Sequence, residues 1–147
     1  MSYVIVLGGG IDQLPSIRLA KKMKLKTIVF DSDKNAISKK HSDFFINISN
    51  RKPNAIVKAI TDLKINKKSI LGIIVAGSDI PHIANEISKK LSIYYPVNSK
   101  AAKISVNKLM MKIFLLKNKI TTPEYFCLKN FHHLTLLLYS IVNLKHY

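Results

Sequence analysis

Three consecutive glycines, Gly8, Gly9 and Gly10, stand between an apolar run, Tyr3–Leu7, and a basic helical pattern that begins near Leu14. Glycines there expose backbone N–H groups, and the N-terminus of the following helix adds partial positive charge, so the arrangement suits an anion. It equally suits a tight turn without a ligand. A dinucleotide loop has glycines spaced G-x-G-x-x-G. Gly8 and Gly10 meet the first two positions, and Gln13 occupies the third, where glycine lets helix and strand pack closely. That glutamine argues against NAD or FAD, even though Asp31 lies about 20 residues on, where a ribose-binding acid belongs. No glycine-lysine-serine or glycine-lysine-threonine triplet occurs, which excludes a Walker-type phosphate loop. A second loop, Gly77–Ser78–Asp79, repeats the design, with an apolar run before it and a helical pattern after it.

Other reactive side chains do not assemble into a set. Glu86 and Glu124 are the only glutamates, and neither sits in a carboxylate cluster. His132 and His133 are adjacent, so on a helix they point in different directions. His41, His82 and His146 stand alone and read as surface histidines. No catalytic residue and no metal ligand is assigned on this basis. The single cysteine, Cys127, cannot form an internal disulfide, so a cytoplasmic location is the default expectation.

The elements that must position the two loops follow from periodicity. Short apolar runs, Tyr3–Leu7, Thr27–Phe30, Asp43–Ser49 and Ile70–Ala76, read as strands. The last has no polar side chain, as suits a strand buried on both faces of a parallel sheet. Helical stripes cover Leu14–Met23, Pro53–Leu63, about Ile80–Leu91, Ser105–Asn118 and about Phe131–Val142. Asp12 and Asp79 are the expected N-caps of the helices after the two loops, with Pro15 and Pro81 in their first turns. Tyr94–Val97 is the expected fifth strand, and Glu124–Leu128 the strand after the Pro123 break. Such alternation predicts an α/β fold: an open, mainly parallel sheet with helices on both faces and right-handed crossovers. Ligands of such sheets sit at the carboxyl ends of the strands, where strand order reverses. If the first and fourth strands are neighbours, the two loops share one crevice.

The whole chain sets outer bounds. Its 147 residues suit about one domain, and a hydrophobic fraction of 48% is enough for a core. No apolar run approaches the roughly 18 to 20 residues of a membrane span, and no signal peptide is visible. The net charge of +16 resembles a nucleic-acid signal, but Arg18 and Arg51 are the only arginines among 24 basic residues. The lysines are scattered, and Lys, Ile and Asn all have A/T-rich codons, so solvated faces explain the charge without nucleic acid or membrane.

The order of these segments, GGGIDQLPSIRLAKK, FDSD, SDFFI, GIIVAGSDIPHIANEI and SKAAKISVNKLMMKIFLLKNKITTPEY, resembles the N-terminal region of ATP-grasp enzymes. The resemblance runs from about residue 2 to 128 and covers the pre-ATP-grasp, Rossmann-like domain and the linker after it. Its most specific part is Ser105–Val106–Asn107–Lys108, then the helix Leu109–Lys117, then the turn Asn118–Lys119–Ile120–Thr121–Thr122–Pro123. Asn107 replaces the family's usual aspartate, and Lys119 stands where a glycine belongs. The resemblance implies a domain at 1–98, a helical linker at 99–122 and the truncated start of an ATP-grasp subdomain at 123–147. It implies an ATP- and Mg²⁺-dependent ligase that makes an acyl-phosphate from a carboxylate and passes it to an amine or other nucleophile. Carried over by position, Gly9, Gly10, Gln13, Ser78 and Asp79 would line the co-substrate side of the cleft, and Lys108 would approach the ATP phosphates. The family's lysine-bearing strand, glycine-rich flap and metal ligands come from later subdomains, so the chain alone is expected to be inactive. A homodimer is compatible with the family. The alternative is a small Rossmann-like module that binds a nucleotide or substrate without catalysis.

Overall fold

The computed structural model describes residues 1–128, which fall in two compact units, Met1–Lys108 and the part of Leu109–Tyr147 up to Leu128. The helix expected at about Phe131–Val142, with Leu134, Leu137, Leu138 and Ile141, lies outside the described residues, as do His132, His133 and His146.

The first unit is built on a four-stranded parallel sheet in the order β3-β2-β1-β4. Its strands are β1 (Tyr3–Leu7), β2 (Lys26–Phe30), β3 (Phe44–Ile46) and β4 (Ile70–Val75). Helices α1 (Leu14–Lys22), α2 (Pro53–Asp62), α3 (Pro81–Leu91) and α4 (Ser99–Val106) complete it. Alternate side chains of each strand point to opposite faces. Ile5, Leu7, Ile28, Phe30 and Ile73 meet Ile56 and Ile60 of α2 and Ala84, Ile87 and Leu91 of α3 on one face. Val6 and Val29 meet Ile17 of α1 on the other. Both faces are therefore covered, which is why these strands read as unbroken apolar runs. Fully burying one such Ile, Leu or Phe side chain contributes about 1.5–3 kcal/mol.

Strand β1 pairs with β2 on one side and β4 on the other, with Leu7 in register with both Phe30 and Val75. Strand order reverses there, so the chain segments leaving β1 and β4 emerge side by side.

Several expected details differ. The third strand is only Phe44–Ile46. Tyr94–Val97 forms no strand, although the Tyr94 carbonyl lies 3.0 Å from where a Cβ on Gly72 would sit. Pro96 has no N–H for a ladder there. Asp12 lies inside the 3-10 turn Ile11–Gln13, and Gln13 takes the N-cap position of α1; Ile80 does so for α3. Neither cap makes a side-chain bond, so Asp12 and Asp79 are not the caps; Pro15 and Pro81 do occupy the first turns. The helix expected at Ser105–Asn118 is broken at Asn107, which is extended (φ −116°, ψ 102°). It is replaced by α4, capped by Asn98 Oδ1 accepting from Ala101 N at 2.8 Å, and by α5 (Lys108–Lys117).

In the second unit α5 is followed by a turn that Lys112 ties down. Its ammonium donates to Thr122 Oγ1 (2.5 Å) and the Pro123 carbonyl (3.0 Å) and lies 5.6 Å from the Tyr125 ring centre. Lys119, at the position where the family carries glycine, adopts the left-handed φ of 55°. Glu124–Leu128 forms no strand, having no neighbouring strand among the described residues to pair with. No helix of the described residues is long and apolar enough to cross a membrane.

One polar cluster pins the amino ends of β2 and β3. Asp43 accepts from Lys26 Nζ (2.7 Å), the Thr27 amide (3.0 Å) and the Thr27 hydroxyl (3.1 Å). Partial burial pushes the Asp43 carboxyl up, but the Lys26 and Thr27 hydrogen bonds and the Lys26 charge outweigh it and hold it below the usual carboxylate range. Asp43→Ala removes the acceptor from the fully buried Thr27 and is expected to cost about 1–3 kcal/mol, read as a lower denaturant midpoint at unchanged m-value. Because the folded carboxyl titrates below the unfolded one, the contribution of its charge is present above about pH 4 and is lost as pH falls through the folded value. The stability gap between wild type and Asp43→Asn should therefore shrink toward acid pH.

Candidate functional site

The glycine loop is packed from inside. Gly8 N donates to the Phe30 carbonyl at 2.9 Å, and Gly9 N donates to Asp31 Oδ2 at 2.6 Å. The Gly9 carbonyl accepts from Ser38 N at 3.0 Å. A Cβ on Gly9 would sit 2.6 Å from Ser38 Oγ, 3.0 Å from Ala36 Cβ and 3.3 Å from Asp31 Cβ. Glycine is required there because other parts of the chain approach the loop closely. Of the three glycine amides, only that of Gly10 has no acceptor among the described residues. A carboxylate already bonded to Gly9 makes the loop a poor cradle for phosphate.

Asp31 has the same consequence for a dinucleotide. Its Oδ2 takes Gly9 N and its Oδ1 takes Asp33 N at 2.8 Å, so both oxygens hold backbone rather than a ribose. Gln13 is likewise engaged inside the protein. Its side chain is 5% exposed, and its Nε2 donates to the Ala76 carbonyl, 63 residues away in sequence. The residue in the third-glycine position is thus a buried tie between the loop after β1 and the loop after β4.

The two loops also touch through Gly77, which has φ 61°. A Cβ there would lie 2.8 Å from Asp12 Cβ and 2.9 Å from Asp12 Oδ2. Gly9, Gly10, Gln13, Ser78 and Asp79 therefore belong to one pair of adjoining loops at the switch point, as the order of β1 and β4 requires. Gly9 and Gln13 are buried, Gly10 and Ser78 half-buried and Asp79 exposed. Lys108 is exposed at the start of α5, at the boundary between the two units, and no hydrogen bond or ion pair joins it to these loops. Sequence reasoning missed Ser38 and Asp12 as loop-packing residues; no local pattern signals either contact.

Among the described residues no group of three or more His, Cys, Asp or Glu side chains could hold a metal ion. The described residues do not fit a Mg²⁺ site.

With this geometry the chain can be set beside known structures. Phosphoribosylglycinamide synthetase from Anaerococcus prevotii superposes with a TM-score of 0.70 at 21% identity, over 95% of this chain and 34% of that one. N5-carboxyaminoimidazole ribonucleotide synthetase from Thermotoga maritima gives 0.65 at 26% identity, over 90% and 35%. The biotin carboxylase domain dimer of Hydrogenobacter thermophilus 2-oxoglutarate carboxylase, in complex with MgADP, ADP and bicarbonate, gives 0.68 at 15%, over 95% and 33%. All three are ATP-grasp enzymes. The chain has the fold of the ATP-grasp N-terminal domain. It spans about a third of the length of these ATP-grasp structures. No family model and no curated protein matches it.

Packing at Gly9 gives a direct test. Gly9→Ala is expected to destabilise the pre-ATP-grasp fold by about 1–3 kcal/mol through overpacking. Ser38 Oγ is fully buried without a hydrogen-bond partner, so Ser38→Ala alone should be neutral or stabilising. In the double variant Gly9→Ala should cost measurably less, a coupling read from a denaturation double-mutant cycle. Additive costs would show that the hydroxyl does not limit space at Gly9.

Proposed function

We propose that this chain is the N-terminal, substrate-side domain of an ATP-grasp ligase that activates a carboxylate as an acyl-phosphate and joins it to an amine or other nucleophile. The observation that supports this most is the pair of loops bound together by Gln13 at the β1/β4 switch point, in a fold shared with ATP-grasp synthetases and a biotin carboxylase. On this reading Gly10, Ser78 and Asp79 contact the carboxylate or amine co-substrate, and Gly9 and Gln13 hold the loops in shape. Lys108 approaches the phosphates of ATP. The chain divides into the pre-ATP-grasp domain 1–98, a linker 99–122 and the start of an ATP-grasp subdomain at 123–147.

In such a reaction a carboxylate oxygen attacks the γ-phosphorus of ATP and ADP leaves; the amine then displaces phosphate from the acyl carbon. Phosphoryl transfer needs charge neutralisation around the γ-phosphate, and the Mg²⁺-binding chemistry belongs to parts of such an enzyme that this chain does not span. Taken alone, then, the chain acts as a binding domain. A cytoplasmic location and a homodimer go with the reading, the latter by analogy with the dimer of the Hydrogenobacter domain.

The test is an NMR titration of the full 147-residue chain. Small carboxylates and amines are expected to shift the Gly10, Ser78 and Asp79 amides saturably. MgATP is expected to be neither hydrolysed above background nor bound at those amides. Saturable NADH binding at the glycine loop would overturn the reading in favour of a dinucleotide module. Salt-sensitive DNA binding at physiological ionic strength would instead favour a nucleic-acid role for the net charge of +16.

A further inference from the structure

The glycine loop turns its donors inward and leaves an acceptor at its surface. The Gly8 and Gly9 amides are bonded to the Phe30 carbonyl and to the Asp31 carboxylate. The Gln13 carboxamide fills the space beside Gly8 and Gly10. A Cβ on Gly8 would sit 3.1 Å from its Cδ, and a Cβ on Gly10 would sit 3.2 Å from its Oε1. The absence of side chains at Gly8 and Gly10 is what makes room for this group.

The two ends of the carboxamide differ. Nε2 is bonded to the Ala76 carbonyl, and because a carbonyl only accepts, that bond fixes which end is nitrogen and which is oxygen. Oε1 accepts no hydrogen bond among the described residues. Gln13 is only 5% exposed, yet Oε1 is not sealed: among the described residues the fully buried side-chain atoms without a partner are Ser38 Oγ and His82 Nδ1. An oriented oxygen with open lone pairs therefore stands at the surface of the loop, on a side chain that is otherwise enclosed. The two loops carry negative charge only. The chain has 24 Lys and Arg residues, and none falls in 8–13 or 76–79. Asp12, whose Cβ a Cβ on Gly77 would meet at 2.8 Å, and Asp79 are exposed and make no ion pair among the described residues. A carboxylate brought here would meet an acceptor with no proton to share and two like charges.

We propose that Gln13 Oε1 accepts a hydrogen bond from an N–H of the co-substrate, so that the crevice takes the amine partner, in its protonated form, rather than the carboxylate. This inference rests on the reading of these loops as the co-substrate side of an ATP-grasp ligase. It gives Gln13 two tasks. Nε2 joins the loops, and Oε1 selects what binds beside them. The acidic residues alone would be ordinary members of two loops that open helices. What sets this place apart is the enclosed, oriented and unpartnered oxygen among them.

The experiment is an NMR titration of the full chain with methylammonium, tetramethylammonium and acetate at constant ionic strength, which keeps screening equal. The two cations carry the same charge, but only methylammonium has an N–H. Methylammonium is expected to shift the Gln13 side-chain carbonyl carbon saturably, with a Kd about ten-fold below that of tetramethylammonium, as one hydrogen bond to a charged group predicts. Acetate is expected to leave that carbon unmoved. Gly10→Ala, at a φ of −73° that any side chain adopts, puts a methyl against Oε1 and leaves the Nε2 bond in place. It should weaken methylammonium binding about ten-fold. The wild-type titrations decide the matter even if that variant loses its fold. Equal Kd values for the two cations, or acetate binding more tightly than methylammonium, overturn the inference and leave the loops a co-substrate site. No saturable shift at Gly10, Gln13, Ser78 or Asp79 with any of these ions overturns the underlying reading as well.

Discussion

One buried carboxamide joins the two loops at the switch point of this fold. Strands β1 and β4 are adjacent, so the loops that leave them emerge side by side. Backbone at such a place must find hydrogen-bond partners within the protein or from water. Gln13 provides one, its Nε2 bonded to the Ala76 carbonyl. Gln13 is 5% exposed and Ala76 half-buried, so the bond is partly shielded, and leaving the buried carboxamide unmatched would cost about 1–3 kcal/mol. The tie also determines what the glycine loop can accept. Gln13 stands where a dinucleotide loop carries the glycine that lets helix and strand pack closely, and its side-chain nitrogen is spent on the Ala76 carbonyl instead. Asp31, the acid that would meet a ribose, instead accepts the Gly9 and Asp33 amides.

Loop and sheet depend on each other. Gly8 bonds to the Phe30 carbonyl and Gly9 to the Asp31 side chain, so the loop after β1 is fastened to the end of β2 on one side and, through Gln13, to the end of β4 on the other. Helices on both faces bury the strands and keep those ends in place. The crevice is thus a property of strand order, and the Gly10 amide has no acceptor among the described residues.

How much of this could be read from sequence follows the range of each interaction. Ile5 and Leu7, Ile28 and Phe30, and Ile70 and Ile73 lie in short unbroken apolar runs that mark β1, β2 and β4 in the sequence itself, although the helices that bury them come from distant segments. The two-loop design was equally visible, since each loop has its own strand before it and helix after it. Tyr94–Val97 and Glu124–Leu128 look like strands by composition, but a strand exists only with a partner edge, and composition does not carry that. The caps failed for a related reason: Asp12 is drawn against Gly77, a contact between distant segments, and a 3-10 turn displaces it from the helix start. Gln13 stands out in the sequence as a missing glycine; its partner lies 63 residues on and has no sequence signature, being a backbone carbonyl. Lys119 marks the opposite case, where a turn expected from the family pattern forms with a non-glycine residue at φ 55°.

The account stands or falls on whether the two loops are one mechanical unit. Amide hydrogen exchange on wild type and Gln13→Leu measures this directly. The account predicts that the variant accelerates exchange in both the Gly8–Gln13 and the Ala76–Asp79 segments together, while Ile28 and Val29 in β2 keep their protection. Acceleration confined to the Gly8–Gln13 segment, with Ala76–Asp79 unchanged, would contradict it.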